Sequence, residues 1–185
     1  MSTRAESSDG TDVIDRLERA NEQLQHIEDE IEDVADPARS DDALAQVEAT
    51  ANAVRRYDRL LTQYEYSATG TGDFGSYVEF QQQIAELVEG LDEDLPRREA
   101  FETAMDVLDQ RRLTDDHFER AREATEPARD LQDLLERRED TRERYRRARL
   151  AATERRDELD DVLADLERLR ELADVDLDAP VDRLR

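Results

Sequence analysis

The chain has 185 residues and a formal net charge of −24, from 27 basic and 51 acidic side chains, with 42% of residues charged. Every basic residue is arginine, and cysteine is absent, which excludes disulfides, thiolate metal sites, cysteine nucleophiles and cysteine redox chemistry. No apolar run is long enough to span a bilayer, and residues 1–12 lack the apolar stretch of a secretory signal, so a cytoplasmic location is expected.

Residues 1–10 are small and polar and read as a disordered tail. The first helix is expected to start with Thr11 or Asp12 as N-cap. Val13, Leu17, Ala20, Leu24, Ile27, Ile31 and Val34 then follow at alternating spacings of four and three, a heptad seam. Asp36-Pro37 ends that helix, because a residue before proline is pushed out of the α region. A second helix is expected from Asp41 to Tyr66, with Leu44, Val47, Ala51, Val54, Tyr57, Leu61 and Tyr64 on one stripe. The short link between two long helices predicts an antiparallel hairpin over 11–66.

Residues 67–75 read as a flexible glycine-rich linker. Short helices are expected over 76–125. Ser76 and Glu79 have capping-box spacing, and Tyr77, Phe80, Ile84, Leu87 and Leu91 share a face. Pro96 is placed in the first turn of the next helix, which carries Phe101, Met105 and Leu108. Thr114 is expected to cap a segment with Phe118 and Ala121, and Pro127 to open the longest element.

That element, over 126–175, is about 70 Å long at about 1.5 Å per residue. Its seam runs Leu131, Leu134, Arg138, Thr141, Tyr145, Ala148, Ala152, Arg155, Leu159, Val162, Leu166, Leu169 and Ala173, and the three–four alternation never slips. The seam is apolar at both ends and polar in the middle. Residues 176–185 read as the start of a further helix or a tail. No strand pattern occurs, so the expected fold is all-α: an antiparallel hairpin or bundle with a long C-terminal coiled-coil helix.

Several motifs resolve to plainer readings. Gly70-Thr71-Gly72-Asp73-Phe74-Gly75 spells G-x-G-x-x-G, but a dinucleotide loop needs a preceding strand, and Asp73 would face an anion; a helix–helix connection is expected instead. Asp174, Asp176 and Asp178 copy the start of a calcium loop, yet its glycine position holds Ala179 and its last ligand position Arg185. His26 and His117 lack the Glu-x-x-His partners of a di-metal bundle, since Gln23 and Thr114 stand there, and both are expected to be solvated. No catalytic constellation, metal site or cofactor is expected.

Arginine is concentrated in one block. Residues 137–149 hold Arg137, Arg138, Arg142, Arg144, Arg146, Arg147 and Arg149 against Glu139, Asp140 and Glu143. Pairing with the acidic stretch 12–36 is one reading. Phosphate contact by Arg137, Arg138, Arg142, Arg146 and Arg149 is the other. Seven phosphate contacts would make log K fall by about 6 per decade of salt, which favours the ion-pair reading in a salty cytoplasm.

The acid excess with arginine in place of lysine resembles proteins of salt-accumulating halophilic archaea. There, molar salt shortens the Debye length to about 3 Å and screens self-repulsion. The heptads of about 127–174 resemble, in composition only, the coiled-coil arms of SMC-class chromosome-maintenance ATPases. With no Walker A or hinge, none of their activity carries over. The whole chain resembles uncharacterised haloarchaeal coiled-coil proteins, a likeness that brings no activity with it. The expected function is non-enzymatic: a coiled-coil interaction or scaffold protein pairing with itself or another helical protein through Leu159, Val162, Leu166 and Leu169, with no membrane. The alternative is a nucleic-acid-associated protein, in chromosome organisation or repair, using the arginine block.

Overall fold

Heptad-spaced apolar residues fold as helices throughout. The structure, a computed structural model, describes residues 3–35, 42–69 and 74–173. Among these lie α1 (Thr3–Val34), α2 (Ala43–Ala68), α3 (Phe74–Glu89), α4 (Arg98–Leu108), α5 (Asp115–Ala124) and α6 (Glu126–Ala173). The only pairing outside helices among the described residues is a bridge of Thr69 with Leu113. The protein is all-α with a long C-terminal helix.

Four helices have boundaries that differ from expectation. Helix α1 begins at Thr3, so residues 3–10 of the segment read as a tail are helical in backbone. Gly10 in a helix interior costs about 1 kcal/mol relative to alanine, too little to stop a helix with Arg4, Ala5 and Glu6 before it. Helix α3 begins at Phe74, which places Ser76 inside the helix instead of at its cap. The Phe74 ring stacks on Tyr77 one turn later, with centroids 6.1 Å apart, and this contact extends the helix backwards.

Pro96 lies before α4 and not within its first turn; the residue capping α4 is Arg97, in the left-handed region at φ 62°. That conformation is uncommon for a residue with a side chain, and its neighbours hold it in place. The Thr50 hydroxyl donates to the Pro96 carbonyl at 3.0 Å, Leu95 is buried, and the Arg98 guanidinium donates to the Leu91 carbonyl. Helix α2 starts and ends two residues later than Asp41 and Tyr66.

Thr114 does cap α5. Its backbone N–H donates to Nδ1 of His117 at 3.1 Å, while the His117 N–H donates to the Thr114 carbonyl. His117 thus takes the role that Glu or Gln plays in a capping box.

The chain divides into two units: residues 1–22 with 142–185, and residues 23–141. Helices α1 and α6 contribute to both. The core of the second unit is aromatic. Phe80 stacks on Phe118 at 5.2 Å and meets Tyr64 at 5.6 Å, and Tyr57 meets Phe101 edge-on at 5.9 Å. Ile84, Leu61, Leu108 and Ala104 close around these rings. A second cluster joins Ile27, Ile31 and Ala35 to Ala43 and Val47, and both to Leu131 and Leu134. Helices α1, α2 and α6 therefore meet along the seams read from their heptads.

Candidate interaction surface

Helix α6 keeps one register over its whole length, but its seam changes character along the way. In the second unit Leu131 and Leu134 are buried, as is Thr141. In the first unit Tyr145, Ala148, Ala152 and Arg155 are half-buried, and every residue from Arg156 to Ala173 is exposed. Exposure rises from 47% at Leu159 to 65% at Leu172, with Val162, Leu163, Leu166 and Leu169 between. The four residues singled out from the sequence therefore lie on one open face. Leu163 and Leu172, which the seam pattern leaves out, widen it by flanking the seam on either side. Their signal was two leucines at heptad positions that charged residues usually hold.

At its inner end this face runs into a groove of about 640 Å³ within the first unit, floored by Val13, Ile14, Ala152, Leu159 and Val162. Arg155 and Arg156 line it as well. Gly10 sits where an added Cβ would lie 3.9 Å from the Arg155 Nε, so α1 approaches α6 at its glycine. Arg155 also donates to Glu158 at 2.8 Å. An apolar stripe of six large side chains, each about half exposed or more, is unusual on a helix surface.

The arginine block is largely engaged by carboxylates. Arg137 donates to Glu30 at 3.1 Å and Arg138 lies 3.7 Å from Glu28. Arg146 and Arg147 share Glu143 at 3.4 and 3.0 Å. Arg142 is half-buried, and Arg149 is exposed. The acidic partner of Arg137 and Arg138 is thus α1, within the stretch 12–36.

A further set of ion pairs fastens α2 to the following helices. Arg122 grips Glu65 through two bonds, at 3.0 and 2.6 Å, and Arg129 bonds Asp58. Between them the Tyr57 hydroxyl is buried and has no hydrogen-bond partner among the described residues. Burial, then the Asp58 charge, pushes its phenol pKa well up, so it stays neutral. The Arg122 fork holds the Glu65 carboxyl below its ordinary value of 4.5. Glu65→Gln is expected to lower stability by about 1 kcal/mol near neutral pH, the pair being one-third exposed. The folded state binds this proton more weakly than the unfolded state, so the stabilisation is present above the unfolded value and lost as pH falls through the depressed one. Urea melts should show the gap between wild type and Glu65→Gln closing as pH is lowered from 6 to about 3.

His26 contacts Glu30 at 3.2 Å and is largely exposed. Among the described residues no group of three or more His, Asp or Glu side chains is placed to hold a metal ion. The loop Gly70-Thr71-Gly72-Asp73 and the acidic run Asp174–Asp178 lie outside the described residues.

Residues 15–185 match a family described as a domain of unknown function, DUF7118. The chain belongs to that family. The matched span starts inside α1 and takes in the buried and the exposed parts of the α6 seam, so the open stripe is family territory and not an appendage to it. No curated protein and no solved structure matches the chain. No helix among the described residues is long and apolar enough to cross a membrane.

Proposed function

We propose that this protein is a non-enzymatic, cytoplasmic interaction module of a halophilic archaeon, and that the exposed stripe of α6 is the face on which it takes a helical partner. The observation that carries this reading is six large apolar side chains, Leu159 to Leu172, all exposed on an uninterrupted helix. A single chain gains nothing from keeping a three–four repeat over residues that meet water. Burying each half-exposed leucine contributes about 1 kcal/mol, which a partner helix supplies. The net charge of −24 and the absence of lysine support the halophilic part of the reading.

The nucleic-acid alternative has less support. Phosphate binding at Arg137, Arg138, Arg146 and Arg147 would have to displace the Glu30, Glu28 and Glu143 contacts already made.

A photo-crosslinking side chain in place of Leu166, carried by the full chain in cells, tests the reading. Leu166 is expected to crosslink to another polypeptide, and the same group at Ala164, which points away from the seam, to give little. Absence of any polypeptide crosslink at Leu166 sinks the proposal.

A further inference from the structure

The geometry points to a second copy of this chain as the occupant of the stripe, aligned parallel and in register over Leu159–Ala173. This inference rests on the reading of the stripe as a partner face and names the partner.

The charges beside the stripe select both identity and direction. In heptad terms Leu159, Leu166 and Ala173 take position a, and Val162 and Leu169 take d. Arg156, Leu163 and Arg170 then fall at e, and Glu158, Asp165 and Leu172 at g. In a parallel pair each g residue meets the e residue five positions further on in the other copy. Asp165 of each chain, which accepts from Arg168 of its own helix at 3.0 Å, therefore also meets Arg170 of the other, two opposite-charge pairs, and Glu158 meets the edge of Leu163. In an antiparallel pair e faces e and g faces g. Arg156 would then face Arg170 twice, and Asp165 would face its own copy. At full overlap the same stripe is thus complementary to itself in one direction and repulsive in the other.

Arginines on the seam would oppose a parallel pair if they faced their own copies. The structure removes that objection. Arg138 lies against Glu28 of its own chain, and Arg155 lies beside Gly10 and bonds Glu158. Both belong to the part of α6 that α1 accompanies, and the exposed stretch begins only after Arg155. The remaining acids are Asp157 and Glu171 at f, Asp160 and Glu167 at b, and Asp161 at c, all on the outer faces of the pair. Copies this negative repel at low ionic strength, so pairing strengthens as salt screens them.

The chain has no cysteine, so one introduced thiol reports register without interference. The full chain carrying Ala173→Cys, oxidised in molar KCl, is expected to give a disulfide-linked dimer, and Ala164→Cys much less of it. An antiparallel pair would hold the two Ala173 positions roughly 27 Å apart at about 1.5 Å per residue, and no link would form. Sedimentation equilibrium supplies the second arm. Arg170→Asp is expected to weaken self-association about threefold in molar KCl and more at lower salt, and mixing it with Asp165→Arg to restore it. In an antiparallel pair Arg170→Asp would meet Arg156 and tighten association instead. Tightening, or no link at Ala173→Cys, overturns the register. A wild-type chain that stays monomeric at all concentrations, while Leu166 still crosslinks to a different polypeptide, overturns the second copy and leaves the partner face standing. No crosslink of either kind removes both.

Discussion

Truncating Phe80 to alanine is expected to destabilise the protein by about 3–5 kcal/mol. Phe80 is fully buried and touches rings on both sides, Tyr64 of α2 and Phe118 of α5. Its loss removes apolar transfer energy and leaves a cavity that two rigid aromatic walls cannot collapse into. It also removes two ring–ring contacts of about 0.5–1.5 kcal/mol each. Since a domain is stable by only about 5–15 kcal/mol, this one change consumes a large fraction of the total. Urea unfolding at constant m-value measures it, with Phe74→Ala as the control. Phe74 is exposed at the start of α3, and its truncation should stay within about 1 kcal/mol. A loss at Phe80 no larger than at Phe74 would mean that the core is centred elsewhere.

The second large effect sets the two ends of the α6 seam against each other. Leu134→Asp places a carboxylate at a site 3% exposed, packed in the cluster of Ile27, Ile31 and Val47, and is expected to cost at least about 3 kcal/mol. Leu159→Asp with Leu166→Asp makes the same chemical change twice at sites about half exposed. A single chain should lose under about 1 kcal/mol from it, because each carboxylate keeps its water. Association should be lost instead. Thermal melts and light scattering on the same samples separate the outcomes. A double variant that melts as early as Leu134→Asp would show that the distal stripe is packed within the chain, against the exposed stripe described above.

Sequence alone treats these two ends as equivalent. Leu131 and Leu134 continue into Leu159, Leu166 and Leu169 by one unbroken alternation of three and four. That alternation fixes which side of a helix is apolar, whatever lies opposite, because side-chain direction follows from the helical repeat. The same local logic made Thr114 legible as a cap and Pro127 as the opening of the long helix. It failed where a non-local contact outweighed a local preference. Arg97 adopts a left-handed backbone next to a proline because Thr50, far away in sequence, holds the Pro96 carbonyl.

The arginine block shows the same division. Composition marked 137–149 as basic and 12–36 as acidic, but attraction between stretches so distant in the chain has no direction until helices are packed. Packing put Glu28 and Glu30 beside Arg138 and Arg137, whereas Glu143 reaches Arg146 and Arg147 within one turn of the same helix, a pairing the local spacing already contains.

What the sequence by itself determined was the helical class, the apolar face of each helix and the register of the long one, since these follow from spacings within a few turns. What only the tertiary structure decided was which stretch of each face is covered. The α6 seam is buried where α1 and α2 close over Leu131 and Leu134, and open from Leu159 to Leu172. Burial depends on what arrives opposite a face, and a heptad pattern carries no information about how far along the helix its neighbours extend.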